Sequence, residues 1–237
     1  MISLNVTRYE QGDSLCAVAS CASIANFYNP SIDYKKTCKI AYQSFSDYIN
    51  YAGIDSGEMG MLLNKLGFQK VSIISSNVNY LDYSWNKLSK KCLIETLKKT
   101  AKNKRAMYPE TLRLFARFLS NFNNNSLLID NNIAEYIKIS LNNKKPVIIT
   151  FNWNLMFKKP KMGRLNKPDP LGGCEQHAVV VYGYDDKDVY ISDSNAASYK
   201  KGFKDYKNGK YKVDWNVLML SMSMEDIIIA ENYCELV

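Results

Sequence analysis

The sequence predicts an α+β fold: an N-terminal helical layer carrying Cys16, packed on a C-terminal antiparallel sheet carrying His177 and Asp193. Three observations lead there. Helical apolar spacing dominates the first half of the chain, starting at Ser14. Short strand-like runs rich in Val and Ile crowd the second half, from Val147 onwards. The chain's single histidine, His177, opens one of those runs. At 237 residues the chain is long enough for one full core. We expect one domain over 1–237, with a helical insertion at about 77–125.

The elements follow in order. Residues 14–28 read as a helix with Leu15, Val18, Ala22 and Ala25 on one stripe, capped by Asp13 or Ser14 and ended by Asn29-Pro30. This places Cys16 two or three residues into the helix. Residues 32–49 form a weaker helical stretch. Asp55-Ser-Gly-Glu58 opens a short helix, Met59 to Leu66, which Gly67 closes. Val71 to Ile74 is a short strand. A basic helix at about 88–103 and another opened by Pro109-Glu110 fill the insertion, and 121–125 is a loop. A helix over 131–141 precedes a buried strand, Pro146 to Phe151. Residues 154–173 are a Pro-, Gly- and Lys-rich loop that precedes His177 and borders any cleft there. Trp153 and Met156 to Met162 are its candidates for shaping substrate choice. Strands are expected at His177–Tyr184, Asp188–Asp193 and about Trp215–Met222, with an edge strand at Ile227–Ala230.

Composition narrows the partners. Lys+Arg 31 against Asp+Glu 23 gives a net charge of +8, much of it a general lysine bias. The basic residues cluster at Lys87–Arg105 and at Lys158–Lys167. Either cluster suits an anionic membrane surface or an acidic partner. Aromatic residues are not interleaved with them as a stacking surface requires, which argues against nucleic acid. We expect no Sec signal peptide and no transmembrane segment, hence a bacterial cytoplasmic protein or one exported by a specialised secretion system into a host cell. Six cysteines without framework spacing indicate free thiols.

Cys16 at a helix start sits where free backbone N–H groups and the helix dipole favour a thiolate. His177 is the one histidine available as its base. A base needs a third group to hold its ring. Asp193 ends the strand that follows His177 through the tight turn Asp185-Asp186-Lys187, so the hairpin brings the two side by side. Asn195 is the alternative orienter.

Gln11-Gly-Asp-Ser-Leu-Cys16 with its helix, Gly57…Leu62-Leu63…Leu66-Gly67-Phe68, Lys145-Pro-Val-Ile148, and His177-Ala-Val-Val-Val-Tyr-Gly-Tyr184 with Ile191-Ser-Asp193 resemble the bacteriocin-processing, papain-like cysteine peptidases and their stand-alone relatives. The resemblance covers about two thirds of the chain. It implies a papain-like fold and a peptidase that works through a thioester intermediate. Cys16 is then the nucleophile, His177 the base, Asp193 the orienter and Gln11 an oxyanion-hole donor. Leu15-Cys16-Ala17 replaces the family's usual Asp-Cys-Gly, and Asp193-Ser194 its usual Asp-Pro. These departures point away from a double-glycine leader and towards a lysine-rich effector or toxin acting on a host protein.

The same residues also suit a glutamine deamidase or transglutaminase-like effector, and the fold alone suits a non-catalytic binding module. A structural zinc site of Cys16, Cys21, Cys174 and His177 is disfavoured, because side chains five apart on a helix point about 140° from each other. No cofactor and no metal are expected.

Overall fold

The structure, a computed structural model, describes residues 1–161, 167–172, 175–195 and 203–234, with residues 46–52 described by backbone alone. The elements, in chain order, are β1 (Ile2–Ser3), α1 (Cys16–Tyr28), α2 (Tyr34–Ala52), α3 (Ser56–Lys65), β2 (Phe68–Ser75), a 3-10 turn (Tyr83–Lys87), α4 (Lys90–Ala101), α5 (Pro109–Asn121) and β3 (Ser126–Ile129). There follow α6 (Ile133–Asn142), β4 (Val147–Asn152), α7 (Trp153–Phe157), β5 (Gln176–Tyr184), β6 (Asp188–Ser192), β7 (Lys204–Lys207), β8 (Lys210–Asp214), α8 (Trp215–Ser221) and β9 (Asp226–Tyr233).

Among the described residues the strands join one sheet in the order β3-β2-β9-β4-β5-β6-β8-β7, with β1 added antiparallel beside β5. Every pairing is antiparallel except that of β2 with β3. β4 and β5 are the apolar centre, and each is buried on both faces. Such strands need cover on two sides. The first face packs Ile148, Ala178, Val180 and Ile228 against α1 to α5. The second packs Ile149, Val179, Val181 and Ile227 against α6, α7 and α8. The α+β class holds, with the helix that carries Cys16 packed on the mostly antiparallel sheet that carries His177, although helices and strands are less segregated along the chain than expected. Two strands come from the first half, and three helices from the second half cover the far face.

Helix α1 is buried along Ala17–Ala25, and its small side chains let it lie close on β5. It starts later than expected. Ser14 has a left-handed φ of 57°, and the N-cap is Leu15, which offers no side-chain cap. Helix α3 opens with the Asp55/Glu58 capping box, a device that stabilises by about 1 kcal/mol. Its Gly57 and Gly60 face α5. A Cβ on Gly60 would lie 2.5 Å from the Phe118 ring, and one on Gly57 would lie 2.9 Å from the Leu114 backbone. The close crossing of α3 and α5 depends on both. Within the stretch 77–125, Leu93, Leu97, Leu112, Phe115 and Phe118 join the core that α1 and α3 also enter.

Two further expectations are corrected. Trp215–Met222 is not a strand. Asp214 caps α8 by accepting from the Asn216 N–H, and burial falls on Leu218, Ser221 and Met222, a helical spacing, while Leu220 faces solvent. Ile227–Ala230 is not an edge. It is the middle of an eight-residue strand between β2 and β4, with Ile227 in one core and Ile228 and Ala230 in the other. The expected loop at 154–173 begins inside α7, where Met156 and Phe157 are buried. No helix among the described residues is long and apolar enough to cross a membrane.

Candidate active site

Cys16 is the first residue of α1 and is partly exposed. The first α1 amide with an intrahelical acceptor is that of Ala19, which donates to the Leu15 carbonyl. The N–H groups at the helix start are therefore free to stabilise an anion. Those of Ala17 and Ala178 donate to the Cys16 sulfur. Gly53 abuts this corner, since a Cβ there would meet the Ser14 carbonyl at 2.7 Å.

His177 sits at the start of β5, opposite Phe151 of β4, whose ring meets it edge-on at 5.5 Å. Its Nε2 lies 2.8 Å from Asp193 Oδ1, and the Cys16 thiol is its other interaction partner, acting on its charge. The β5–β6 register pairs Val180 with Ser192, so Asp193 stands diagonal to His177, not directly across from it. Asp193 is fully buried. Its Oδ1 also accepts from the Asn195 N–H at 2.8 Å, and its Oδ2 accepts from the Tyr211 hydroxyl at 2.8 Å. Asn195 thus meets the carboxylate through its backbone.

The electrostatics follow from these contacts. Burial of the His177 ring opposes its charge. The charge and hydrogen bond of Asp193, with those of the Cys16 sulfur, outweigh burial and raise the pKa to about 9. Burial likewise opposes a thiolate at Cys16. The hydrogen bond and charge of His177 and the Ala178 and Ala17 amides win, and hold the thiol below its ordinary value. The two shifts together favour a thiolate beside an imidazolium. A thiolate held in this way can attack a carbonyl, with an acid beside it to protonate the leaving group. Cys21, one turn and a half along the same helix, shows the contrast. It is wholly buried against the Met59 carbonyl, and burial pushes its thiol far up. Cys174, another member of the disfavoured zinc set, lies outside the described residues.

Gln11 is held from the other side. Its N–H donates to the Ser194 carbonyl at 3.1 Å, and its Oε1 accepts from the Ser194 hydroxyl at 2.7 Å. With Oε1 occupied, the planar amide turns Nε2 away from Ser194 as a donor. Arg8 adds Nε to the Asp193 carbonyl at 2.7 Å and Nη2 to the Ser194 carbonyl at 3.0 Å. Residues 8–11 are thereby sewn to the segment that carries Asp193. Gly209 makes this possible. Its φ is +78°, and a Cβ on it would lie 2.1 Å from Arg8 Nε.

Cys16 and His177 open into a cleft of about 660 Å³. Its walls include Ile54, Asp55, Tyr80, Thr150, Gln176 and Glu225. From the loop expected to border it, Lys161 and Gly172 line the cleft. Met156 does not, being 2% exposed in the core, and Met162 lies outside the described residues. Sequence reasoning missed Arg8, Ser194, Tyr211, Gln176, Glu225 and Asp226. The usable signals were Ser194, which directly follows Asp193, and Gln176, which directly precedes His177.

A double-glycine-motif protease from an AMS/PCAT transporter, solved in complex with its leader peptide, has a similar structure: 13% identity, TM-score 0.45, covering 97% of this chain and 94% of that one. So does a C39-like peptidase from Bacillus anthracis, at 16% identity and TM-score 0.45, covering 98% of each chain. Among curated proteins none matches the sequence. The model of the Peptidase_C39-like family matches residues 3–219, nearly the whole chain, so this protein belongs to that family of papain-like cysteine proteases.

Proposed function

We propose that the protein hydrolyses a peptide bond of a protein or peptide substrate through Cys16, His177 and Asp193. One observation carries the reading. The thiol at the start of α1 lines one cleft with, and is electrostatically coupled to, an imidazole whose Nε2 lies 2.8 Å from a fully buried carboxylate. Cys16 attacks the carbonyl carbon. The Cys16 N–H and Gln11 Nε2 hold the oxyanion of the tetrahedral adduct. The imidazolium gives its proton to the departing amine, leaving a thioester on Cys16. Water, deprotonated by His177, then releases the acid and restores the thiol. Asp193 keeps the ring oriented and its charge balanced throughout.

We extend the proposal to a host protein as substrate on the strength of the lysine-rich composition. Contact with an anionic surface is part of it too. Lys91, Lys98, Lys99, Lys102, Lys104 and Arg105 are exposed on α4 and its exit. Lys90 of the same cluster is instead used internally, donating to the carbonyls of Phe122, Asn123 and Asn125.

The test compares a host-cell lysate treated with wild type or with Cys16→Ala, read by a proteome-wide search for new N-termini. Wild type should generate a discrete set that the variant does not. Equal sets would overturn the reading. A mass gain of about one dalton on an intact protein, without new termini, would mark side-chain deamidation instead.

A further inference from the structure

One part of the cleft lining is built of carboxylates that the proposed chemistry does not use. Asp226 is 6% exposed and lines the cleft, and its Oδ1 has no hydrogen-bond donor. Glu225, also 6% exposed, accepts from the Thr150 hydroxyl at 2.9 Å and from the Gln176 amide at 3.2 Å on both oxygens. Asp55 stands in the same wall and accepts from the Thr111 hydroxyl at 3.0 Å. Glu58, 4% exposed, lies behind it. Neutral donors serve these groups. Arg117 acts on Glu58, and Lys161 in the cleft wall forms no ion pair among the described residues. Tyr80 stands among the charges of Asp226, Asp55 and Glu225, which together with burial keep its hydroxyl protonated.

A buried carboxylate without a counter-charge is costly, and an acceptor with no donor adds to the cost. Such groups in a cleft wall call for an explanation, and a bound cation is one that answers both costs. We propose that this wall, centred on Asp226 and Glu225, seats a cationic group of the substrate, an ammonium or guanidinium, beside the bond to be cleaved. The proposal rests on the peptidase reading of the Cys16–His177 site.

The geometry ties the wall to that site. Gln176, which holds Glu225, is the residue before His177. Thr150, which holds Glu225 and accepts from the Asp226 N–H at 2.9 Å, stands across the sheet from Ala178, whose own N–H meets the Cys16 sulfur. A substrate carbonyl at Cys16 therefore brings its neighbouring groups up to the carboxylates. In the free protein burial, followed by the charge of Asp226, raises Glu225 to about 7, against the Thr150 and Gln176 hydrogen bonds. Burial likewise, with Asp55, raises Asp226 to about 6, against the hydroxyls of Ser56 and Ser75. An entering cation reverses both penalties. A lysine or arginine side chain and a free amino terminus share this chemistry.

Two measurements test the proposal. In the first, Cys16 is modified by 2-aminoethyl or by 2-sulfonatoethyl methanethiosulfonate, which differ in charge; the thiolate attacks the sulfenyl sulfur of either, an aminoethyl or a sulfonatoethyl mixed disulfide forms, and methanesulfinate leaves. Cys234, exposed and outside the basic cluster, is the internal reference. The cationic reagent should be favoured at Cys16, relative to Cys234, by at least about tenfold. Asp226→Asn and Glu225→Gln should each shrink that ratio. An equal ratio at the two cysteines, or one that both variants leave intact, overturns the proposal. In the second, peptides carry lysine, acetyl-lysine or glutamate at each position, with free or acetylated amino termini. Cleavage favoured by lysine assigns the seat to a side chain, and cleavage favoured by a free amine assigns it to a terminus. Cleavage indifferent to charge overturns the cationic substrate while leaving the peptidase reading in place. Charge-selective labelling of Cys16 with no cleavage of any peptide overturns the peptidase reading and leaves the cation seat.

Discussion

Asp193→Asn removes one charge from the site and almost no volume. In the native protein the imidazolium of His177 is favoured up to about pH 9 against an ordinary 6.5. At about 1.4 kcal/mol per tenfold, this corresponds to about 3 kcal/mol in favour of the charged ring, after burial has been overcome. Asp193 heads the contributions that raise it. An asparagine keeps a hydrogen bond but not the charge, and burial of the ring persists. His177 should then lose its proton near or below its ordinary pKa, and the Cys16 thiol, no longer facing an imidazolium, should rise. The sign is definite: native reactivity is present at neutral pH, whereas reactivity in the variant appears only as pH rises. The assay is the rate of iodoacetamide alkylation of Cys16 as a function of pH, read by peptide mass against Cys92. At about pH 6 the variant should be slower by at least about tenfold, with its profile displaced to higher pH. Superimposable profiles would refute the reasoning, because the buried carboxylate would then have no hold on the pair.

Other consequences follow from the same contacts. Gln11→Ala should lower kcat on a peptide substrate by about 10²–10³ with little change in KM, since the amide acts on the oxyanion and not on the ground state. Tyr211→Phe strips a donor from a fully buried carboxylate oxygen and should cost about 1–3 kcal/mol in urea unfolding. Gly209→Ala places a Cβ on Arg8 and strains a left-handed residue, so it should destabilise by more than about 1 kcal/mol and slow Cys16 alkylation as residues 8–11 come loose from Asp193. Glu225 has a folded pKa of about 7 against 4.5 when free. Its contribution is therefore full below about pH 4.5 and is lost as pH rises through about 7, a fall of about 3 kcal/mol. Glu225→Gln should flatten the loss of stability between about pH 4.5 and pH 7, and an unchanged slope would contradict the buried charge.

How far the site could be read in the sequence depends on how local its causes are. Cys16, His177 and Asp193 could be put forward as candidates from the sequence because a helix start and a tight hairpin each leave a short-range pattern. Asp193 was placed by a turn, Asp185-Asp186-Lys187, and a bulge between Val181 and Gly183 makes the contact diagonal. Tyr211 and Arg8 reach Asp193 from a later strand and from the N-terminus, so nothing near Asp193 announces them. Asp55, Glu225 and Asp226 meet in space from opposite ends of the chain, and a lone carboxylate in sequence reads as surface. The segment after Asp214 contains both an alternating and a helical apolar pattern, and the cap at Asp214 decided between them. β9 read as an edge because only its middle is purely apolar. Its outer residues are polar and still paired, as where Glu231 meets Lys70 and Lys145.

The most direct test of the central claim is to trap the acyl-enzyme. The protein is mixed with Nα-acetyl-lysine p-nitrophenyl ester, quenched in acid within the first turnover, and mapped by peptide mass. A burst of about one p-nitrophenol per molecule is expected, with the acyl group on Cys16 and absent from Cys16→Ala. No burst, or the acyl group on lysines or on another cysteine, would contradict it.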